Sequence, residues 1–243
     1  MKNDSKRLEA SVALVTGANR GLGKALVTAL LDAGAHKVYA AARDENQIET
    51  KDPRVEPLRL DVTNPEQVAL AARRAADVNL LINNAGRLSS FNVLEARSSD
   101  IEADFGVQVY GTLSVIKAFL PVLTNARGGA TIVNVLSLAA LAAVPTMGGY
   151  SASKAAAYSI TLALRPELAK RSIRVLAALP GPIDTDMVKD IELPKTGAPD
   201  VASSIVAGIL RGDEEIFPDP MAQQMGALWL RDPKSYERAF ANF

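Results

Sequence analysis

The sequence contains no cysteine and only one histidine, His36. Disulfides, thiolate nucleophiles and cysteine-rich metal sites are therefore excluded, and a lone imidazole cannot build a multi-histidine metal centre or a histidine relay. Charge of either sign is not in excess, since 27 basic and 27 acidic side chains cancel. Zero net charge gives no electrostatic reason to expect nucleic acid or an anionic membrane as a partner, although it leaves room for a local basic pocket. Long apolar runs are also lacking. Met1 to Ala10 is charged and has no stretch resembling a secretory signal. The apolar segment from Val135 to Met147 is interrupted by Ser137 and Pro145 and is too short to span a bilayer. A cytoplasmic protein is expected, with no metal, no nucleic acid and no membrane as partner.

What is present is an ordinary globular composition, 48% apolar over 243 residues, which fits one α/β domain. Ser11–Thr16 is short, β-branched and apolar, as a buried parallel strand should be. It runs into Gly17-Ala18-Asn19-Arg20-Gly21-Leu22-Gly23. A helical pattern follows, with Leu22, Ala25, Leu26, Ala29, Leu30 and Ala33 on one face and Gly34 as terminator. Lys37–Ala41 supplies a second strand. Strand, glycine turn, helix and strand make a βαβ unit with a right-handed crossover. The alternation continues through strands at Val55–Leu60, Val78–Ile82, Thr131–Val135 and Ile173–Ala178. Helices are expected from Pro65 to about Ala76, Ile101 to Asn125, Ser151 to Lys170 and Pro199 to Arg211. Pro166 should disturb the last turns of the third of these, and Glu215–Phe217 begins a short further strand. The expectation is a single-domain Rossmann fold over residues 1–243: a doubly wound parallel sheet with helices on both faces.

The glycines carry chemistry because of where they stand. Gly17 permits a turn that a side chain would strain, Gly21 lets backbone approach a pyrophosphate, and Gly23 permits close packing as the helix starts. Free N–H groups at that helix terminus attract the anion. The end of the second strand discriminates between cofactors. An acid there accepts the ribose hydroxyl of NAD, whereas the 2′-phosphate of NADP needs room and positive charge. Here the tip reads Ala41-Ala42-Arg43-Asp44. Arg43, with Arg20 approaching from the glycine loop, favours NADP(H) through charge-assisted donors. Asp44 accepting ribose hydrogen bonds is the competing arrangement.

Taken together, Thr16 to Gly23, Asn83-Asn84-Ala85-Gly86, Ser137, Tyr150-Ser151-Ala152-Ser153-Lys154 and Pro180-Gly181-Pro182-Ile183-Asp184-Thr185 resemble the short-chain dehydrogenase/reductase family over nearly the whole chain. The likeness is to its NADP(H)-dependent, carbonyl-reductase-like members. The resemblance implies that Asn19 and Leu22 belong to the cofactor loop and that Asp61 and Val62 border the adenine. It places Asn83, Ala85 and Gly86 beneath the cofactor, Pro180 and Gly181 along it, and Ile183 and Thr185 on the nicotinamide carboxamide. It also implies a catalytic Ser137, Tyr150 and Lys154.

The roles of those three follow from their chemistry as well. A helix starting near Tyr150 puts it and Lys154, four residues on, on one face. Ketone reduction needs a proton donor at oxygen, and alcohol oxidation needs its removal. A phenol performs both, but an ordinary pKa of about 10 makes phenolate scarce near neutrality. A neighbouring ammonium and the oxidised nicotinamide favour it. Lys154 also suits nicotinamide-ribose hydroxyls, and Ser137 suits the substrate oxygen. One position departs from the family. Gln108 stands in the middle helix where many members carry asparagine, and its longer side chain leaves open whether the amide and its water keep their places.

Segments 87–94, 143–149 and 187–193 are expected to form the substrate wall, the last within a substrate loop at 184–198. They offer Leu88, Leu94, Val144, Met147, Met187, Val188, Ile191 and Leu193, which favours a hydrophobic ketone or its secondary alcohol. Imine reduction, or a non-catalytic NADP-binding scaffold, is the alternative. Trp229 is placed either over the pocket or in a subunit contact. The resemblance implies a homodimer or homotetramer.

Overall fold

Apolar β-branched segments with no polar face to offer water become strands covered on both sides. Every residue of β1 (Val12–Thr16), β4 (Leu80–Asn83) and β5 (Ala130–Val135) is buried. The computed structural model describes residues 8–89, 92–189 and 192–242. Within them β2 (Lys37–Ala42), β3 (Val55–Arg59), β6 (Ile173–Ala178) and β9 (Glu215–Ile216) complete a parallel seven-stranded sheet in the order β3-β2-β1-β4-β5-β6-β9. The short β7 (Ile183–Asp184) and β8 (Thr196–Gly197) pair separately. Strand addition reverses between β1 and β4, and the crevice beyond the carboxyl ends of those strands is where such sheets bind ligands.

Helices cover both faces. On one, α1 (Gly21–Asp32) and α6 (Ala198–Arg211) bury Leu26, Leu30, Val201 and Ile205 against the sheet. On the other, α2 (Pro65–Arg74) and α4 (Thr112–Thr124) place Val68, Ala71, Val115 and Phe119, and α5 (Gly148–Ala169) adds Leu168. α2 begins where the sequence signals it, with Pro65 in the first turn and the Asn64 side chain accepting from the backbone of Glu66 and Gln67.

Three expectations are corrected. The middle helix runs from 98 to 124 rather than 101 to 125, and it is not uniform. α3 (Ser98–Phe105) widens into a π-helical segment, Gly106–Gly111, before α4. By length and composition the run 98–124 is apolar enough to cross a membrane, but it buries Asp104 and Gln108 and packs Phe119 and Leu123 into the core. Second, α5 starts at Gly148 and includes Tyr150. Third, it continues through Pro166 to Ala169, its end pinned by Leu168, which is 1% exposed. The short strand expected to begin at Glu215 forms as β9, the seventh strand of the sheet, and beyond it the C-terminal region folds as α7 (Pro220–Arg231) and α8 (Pro233–Phe240), two helices not expected from the sequence. Asp219 and Asp232 cap these helices ahead of Pro220 and Pro233.

Candidate active site

The glycine turn is closed by contacts that only these residues permit. Gly17 and Gly21 have φ of 67° and 53°, backbone that other residues rarely adopt. A Cβ on Gly23 would lie 2.1 Å from the Gly17 carbonyl oxygen, so helix and turn meet at backbone distance. Asn84 locks the turn to the next loop, its Nδ2 donating to the carbonyls of Thr16 at 2.9 Å and Gly17 at 3.2 Å. Thr16 Oγ1 accepts from the backbone N–H of Asn84 and Ala85, each at 2.9 Å. Unlike α2, α7 and α8, α1 has no side-chain cap. Its free N–H groups and the absent Cβ atoms form a cradle fit for a pyrophosphate.

At the tip of β2, Arg43 is exposed and, among the described residues, its guanidinium makes no ion pair. Asp44 faces its own chain, where Oδ1 accepts from the backbone of Asn46 at 3.1 Å and caps a single turn. Asn19 Nδ2 donates to Gln47 Oε1 at 2.8 Å. Arg20, expected to converge with Arg43, is paired instead with Asp186, its Nη1 3.1 Å from Oδ2 and both side chains exposed. Asp61 turns Oδ1 to the N–H and hydroxyl of Thr63. Val62 is buried, and a Cβ on Gly111 would lie 2.7 Å from its Cγ2.

Ser137 follows β5, and Tyr150 and Lys154 stand one turn apart on α5. The Ser137 hydroxyl accepts from the N–H of Ala139 at 3.1 Å and lies near enough to the Tyr150 phenol to favour its ionised form. Lys154 is 6% exposed, donates from Nζ to the Val135 carbonyl at 2.9 Å and lies 5.7 Å from the centre of the Tyr150 ring. Burial pushes the Tyr150 phenol up to about 12, against the opposing effect of Ser137, with the Asp104 carboxylate adding to the rise. Burial pulls Lys154 down to about 7, and Asp104 opposes that fall. Gln108 is buried. Its Nε2 donates to Ser153 Oγ at 2.8 Å, and that hydroxyl donates to the Tyr150 carbonyl at 2.7 Å. Among the described residues its Oε1 has no donor. A Cβ on Gly86 would lie 3.7 Å from this oxygen and 3.9 Å from Lys154 Nζ, so one small space lies open to both.

The architecture and these motifs agree with comparison to known proteins. The model of the short chain dehydrogenase family matches residues 11–195. The chain belongs to the short-chain dehydrogenase family. An uncharacterised oxidoreductase of Staphylococcus saprophyticus is 34% identical over 197 residues, covering 76% of this chain and 83% of that protein. A 3-oxoacyl-[acyl-carrier-protein] reductase of Thermotoga maritima is 31% identical over 220 residues, 86% of this chain and 88% of its own. The crystal structure of a Burkholderia cenocepacia short-chain dehydrogenase in complex with NADP superposes with a TM-score of 0.89 at 42% identity, covering 95% and 97% of the two chains.

In this short-chain dehydrogenase the remaining residues expected at the cofactor divide into scaffold and rim. Asn83 is 5% exposed and donates from Nδ2 to Asn134 Oδ1 at 2.9 Å, while Asn134 donates to Thr161 Oγ1 at 2.9 Å. It ties β4, β5 and α5 together. Pro180 is buried and accepts from the N–H of Leu138 at 3.0 Å. The Gly181 N–H donates to Asp219 Oδ2 at 2.9 Å. Ile183 belongs to β7, and Thr185 Cγ2 would meet a Cβ on Gly21 at 3.2 Å, so the segment after β6 returns over the glycine turn.

Of the expected substrate wall, Val144 is 4% exposed and Leu94 is 93% exposed; Ile191 lies outside the described residues. Trp229 packs edge-on against Tyr158 of the same chain, ring centres 6.4 Å apart. A surface crevice of about 310 Å³ between α1 and residues 48–55 contains none of the reacting side chains. No group of three or more His, Cys, Asp or Glu able to hold a metal lies among the described residues.

Three contributors escaped the sequence reading. Asp219, 2% exposed, joins Gly181 to the α7 cap. Tyr236, fully buried, donates to the Leu138 carbonyl at 2.7 Å. Asp104 is the one acid of α3 that is fully buried. The Asp-Pro pairs at 219–220 and 232–233 were readable helix starts, whereas nothing local announces Asp104's partners.

Proposed function

We propose that the chain is an NADP(H)-dependent oxidoreductase that reversibly reduces a hydrophobic ketone to its secondary alcohol. The convergence of Ser137, Tyr150 and Lys154 beside the glycine turn carries this reading. Bound nicotinamide supplies hydride to the carbonyl carbon in reduction and accepts it in oxidation. Tyr150 delivers its phenolic proton to the carbonyl oxygen, and its raised proton affinity keeps that proton in place at neutral pH. Ser137 holds the same oxygen by hydrogen bond. Lys154, poised near neutrality by burial, steadies the phenolate left behind and donates to ribose hydroxyls.

The glycine cradle would hold the pyrophosphate, with Asn19, Leu22, Asp61, Val62, Ala85, Gly86, Ile183 and Thr185 along the cofactor. Arg43, which makes no ion pair among the described residues and stands beside the committed Asp44, supports NADP over NAD, as does the NADP in the Burkholderia relative. Arg20 joins it by exchanging Asp186 for the phosphate. The substrate loop spans 184–198, and the enzyme works as a homodimer or homotetramer in the cytoplasm.

The experiment is a panel of hydrophobic ketones and imines followed by NADPH absorbance decay, with NADH in parallel. Ketone turnover with NADPH is the expected result. Activity confined to imines replaces the carbonyl assignment, and saturable NADPH binding with no turnover anywhere overturns the enzymatic one.

A further inference from the structure

A closed circuit of hydrogen bonds joins the residue after Ser137 to the C-terminal helices. Tyr236 donates to the Leu138 carbonyl at 2.7 Å, and the Leu138 N–H donates to the Pro180 carbonyl at 3.0 Å. The following N–H, that of Gly181, donates to Asp219 Oδ2 at 2.9 Å. Asp219 Oδ1 accepts from the Ala222 N–H in the first turn of α7 at 2.8 Å, and α8 carries the chain back to Tyr236. Leu138, Asp219 and Tyr236 are each at most 2% exposed. Asp219 stands beyond residues 11–195, the stretch that the family model matches.

Capping alone does not call for this acid. Serine, threonine or asparagine caps a helix as well, because one oxygen suffices. Asp219 uses two, one for its own helix and one for a backbone N–H 38 residues away. A hydroxyl or an amide offers one acceptor atom, a carboxylate two. A Cβ on Gly181 would lie 3.0 Å from Asp219 Oδ1 and 3.4 Å from the Met221 Cβ, so the bare backbone of Gly181 lets the start of α7 come close. What this bond holds in place is a bridge. Pro180 is tied to the neighbour of Ser137, and at the other end Thr185 Cγ2 lies 3.2 Å from a Cβ placed on Gly21. The segment 180–185 therefore runs from the reacting residues to the pyrophosphate cradle, the span that the nicotinamide half of the cofactor has to cover.

We propose that Asp219 is a positioning residue, which through Gly181 fixes the 180–185 segment against the nicotinamide half of the cofactor and makes the C-terminal helices part of the frame of the site. The adenosine half is held elsewhere, at the glycine cradle and the tip of β2. The inference rests on the cofactor reading above, but its test needs no turnover.

The full-length protein is titrated by calorimetry with NADPH and with 2′,5′-ADP, which carries the adenosine and its phosphates but no nicotinamide. Asp219→Ser keeps an oxygen for the α7 cap and loses the reach to Gly181. It should weaken NADPH binding by about tenfold and leave 2′,5′-ADP within about twofold of wild type. Asp219→Asn, nearly isosteric, turns an N–H toward one of the two donors and should show the same selective loss, which keeps the test open should the serine variant fail to fold. A role in capping alone leaves Asp219→Ser silent and overturns the proposal. Equal losses for the two ligands overturn it as well, since a general loosening of the fold does not distinguish the halves of the cofactor. Failure of the cofactor reading appears in the wild-type protein, as binding of neither ligand, and takes this inference with it.

Discussion

Gly23→Ala sets two effects of known size against each other. In an unobstructed helix the substitution stabilises by about 1 kcal/mol, because alanine loses less backbone entropy than glycine. At Gly23 the new methyl would sit 2.1 Å from the Gly17 carbonyl oxygen and 2.7 Å from Asn84 Nδ2. Both obstacles are fixed. The carbonyl is backbone, and the amide is held by its own bonds to Thr16 and Gly17. Relief requires the turn to move by about 1 Å or more, an overpacking penalty of roughly 1–3 kcal/mol, with about 0.5–1.5 kcal/mol for each Asn84 bond that breaks. The penalty exceeds the helix gain, so net destabilisation of about 1–4 kcal/mol is expected. NADPH affinity should fall by at least about tenfold as the cradle widens. Gly106→Ala is the control, since no atom lies within 4 Å of a Cβ built there; it should be neutral or mildly stabilising. Urea unfolding and fluorescence titration with NADPH read both quantities. A Gly23→Ala protein as stable as wild type and equally tight for NADPH refutes the close-approach argument.

Tyr236→Phe leaves the Leu138 carbonyl without its 2.7 Å donor and should cost about 1–2 kcal/mol in urea unfolding; an unchanged midpoint would show that the C-terminal helices do not brace the Ser137 turn through this bond. Lys154 titrates near 7 in the folded chain against an ordinary 10.5. The unfolded chain therefore binds the extra proton between those values, and stability contributed by this group rises with pH across that window. Lys154→Met should remove that rise and be the more stable protein at pH 6 by on the order of a few kcal/mol; matched pH-dependent unfolding curves with the same slope contradict it. Arg43→Ala should weaken NADPH binding by about tenfold and leave NADH nearly untouched. Equal losses for the two cofactors would remove the 2′-phosphate role.

The β/α alternation was legible because each strand is a short apolar run and each covering helix shows its own spaced apolar face. Ser137, Tyr150 and Lys154 were expected for a different reason: the ordered motifs resemble those of the short-chain dehydrogenase family, and Tyr150 and Lys154 stand four residues apart. The π segment was not, since Val107–Gly111 has the same apolar rhythm as the helix around it, and its contacts, Gly111 against Val62 and Gln108 on Ser153, are made to distant parts of the chain. Gln108's position depended on that segment. Arg20 was expected at a phosphate and is paired with Asp186, 166 residues away, a partner no local pattern identifies. The Arg87–Ser89–Asp104 cluster, in which Asp104 Oδ1 lies 3.0 Å from both Arg87 Nε and Ser89 Oγ, was missed on the same ground, because it joins a loop to a helix whose relative placement only the fold decides. The two C-terminal helices were legible and overlooked, their Asp-Pro starts standing in plain sequence.

The central claim is that Tyr150 moves the proton that accompanies hydride transfer. Tyr150→Phe keeps the ring and its packing but has no hydroxyl to give. Single-turnover NADPH oxidation, with a ketone that the wild-type enzyme reduces, should fall by about a hundredfold or more, while NADPH titration gives an affinity within about twofold of wild type. A folded Tyr150→Phe protein that binds NADPH and turns over at the wild-type rate contradicts the account.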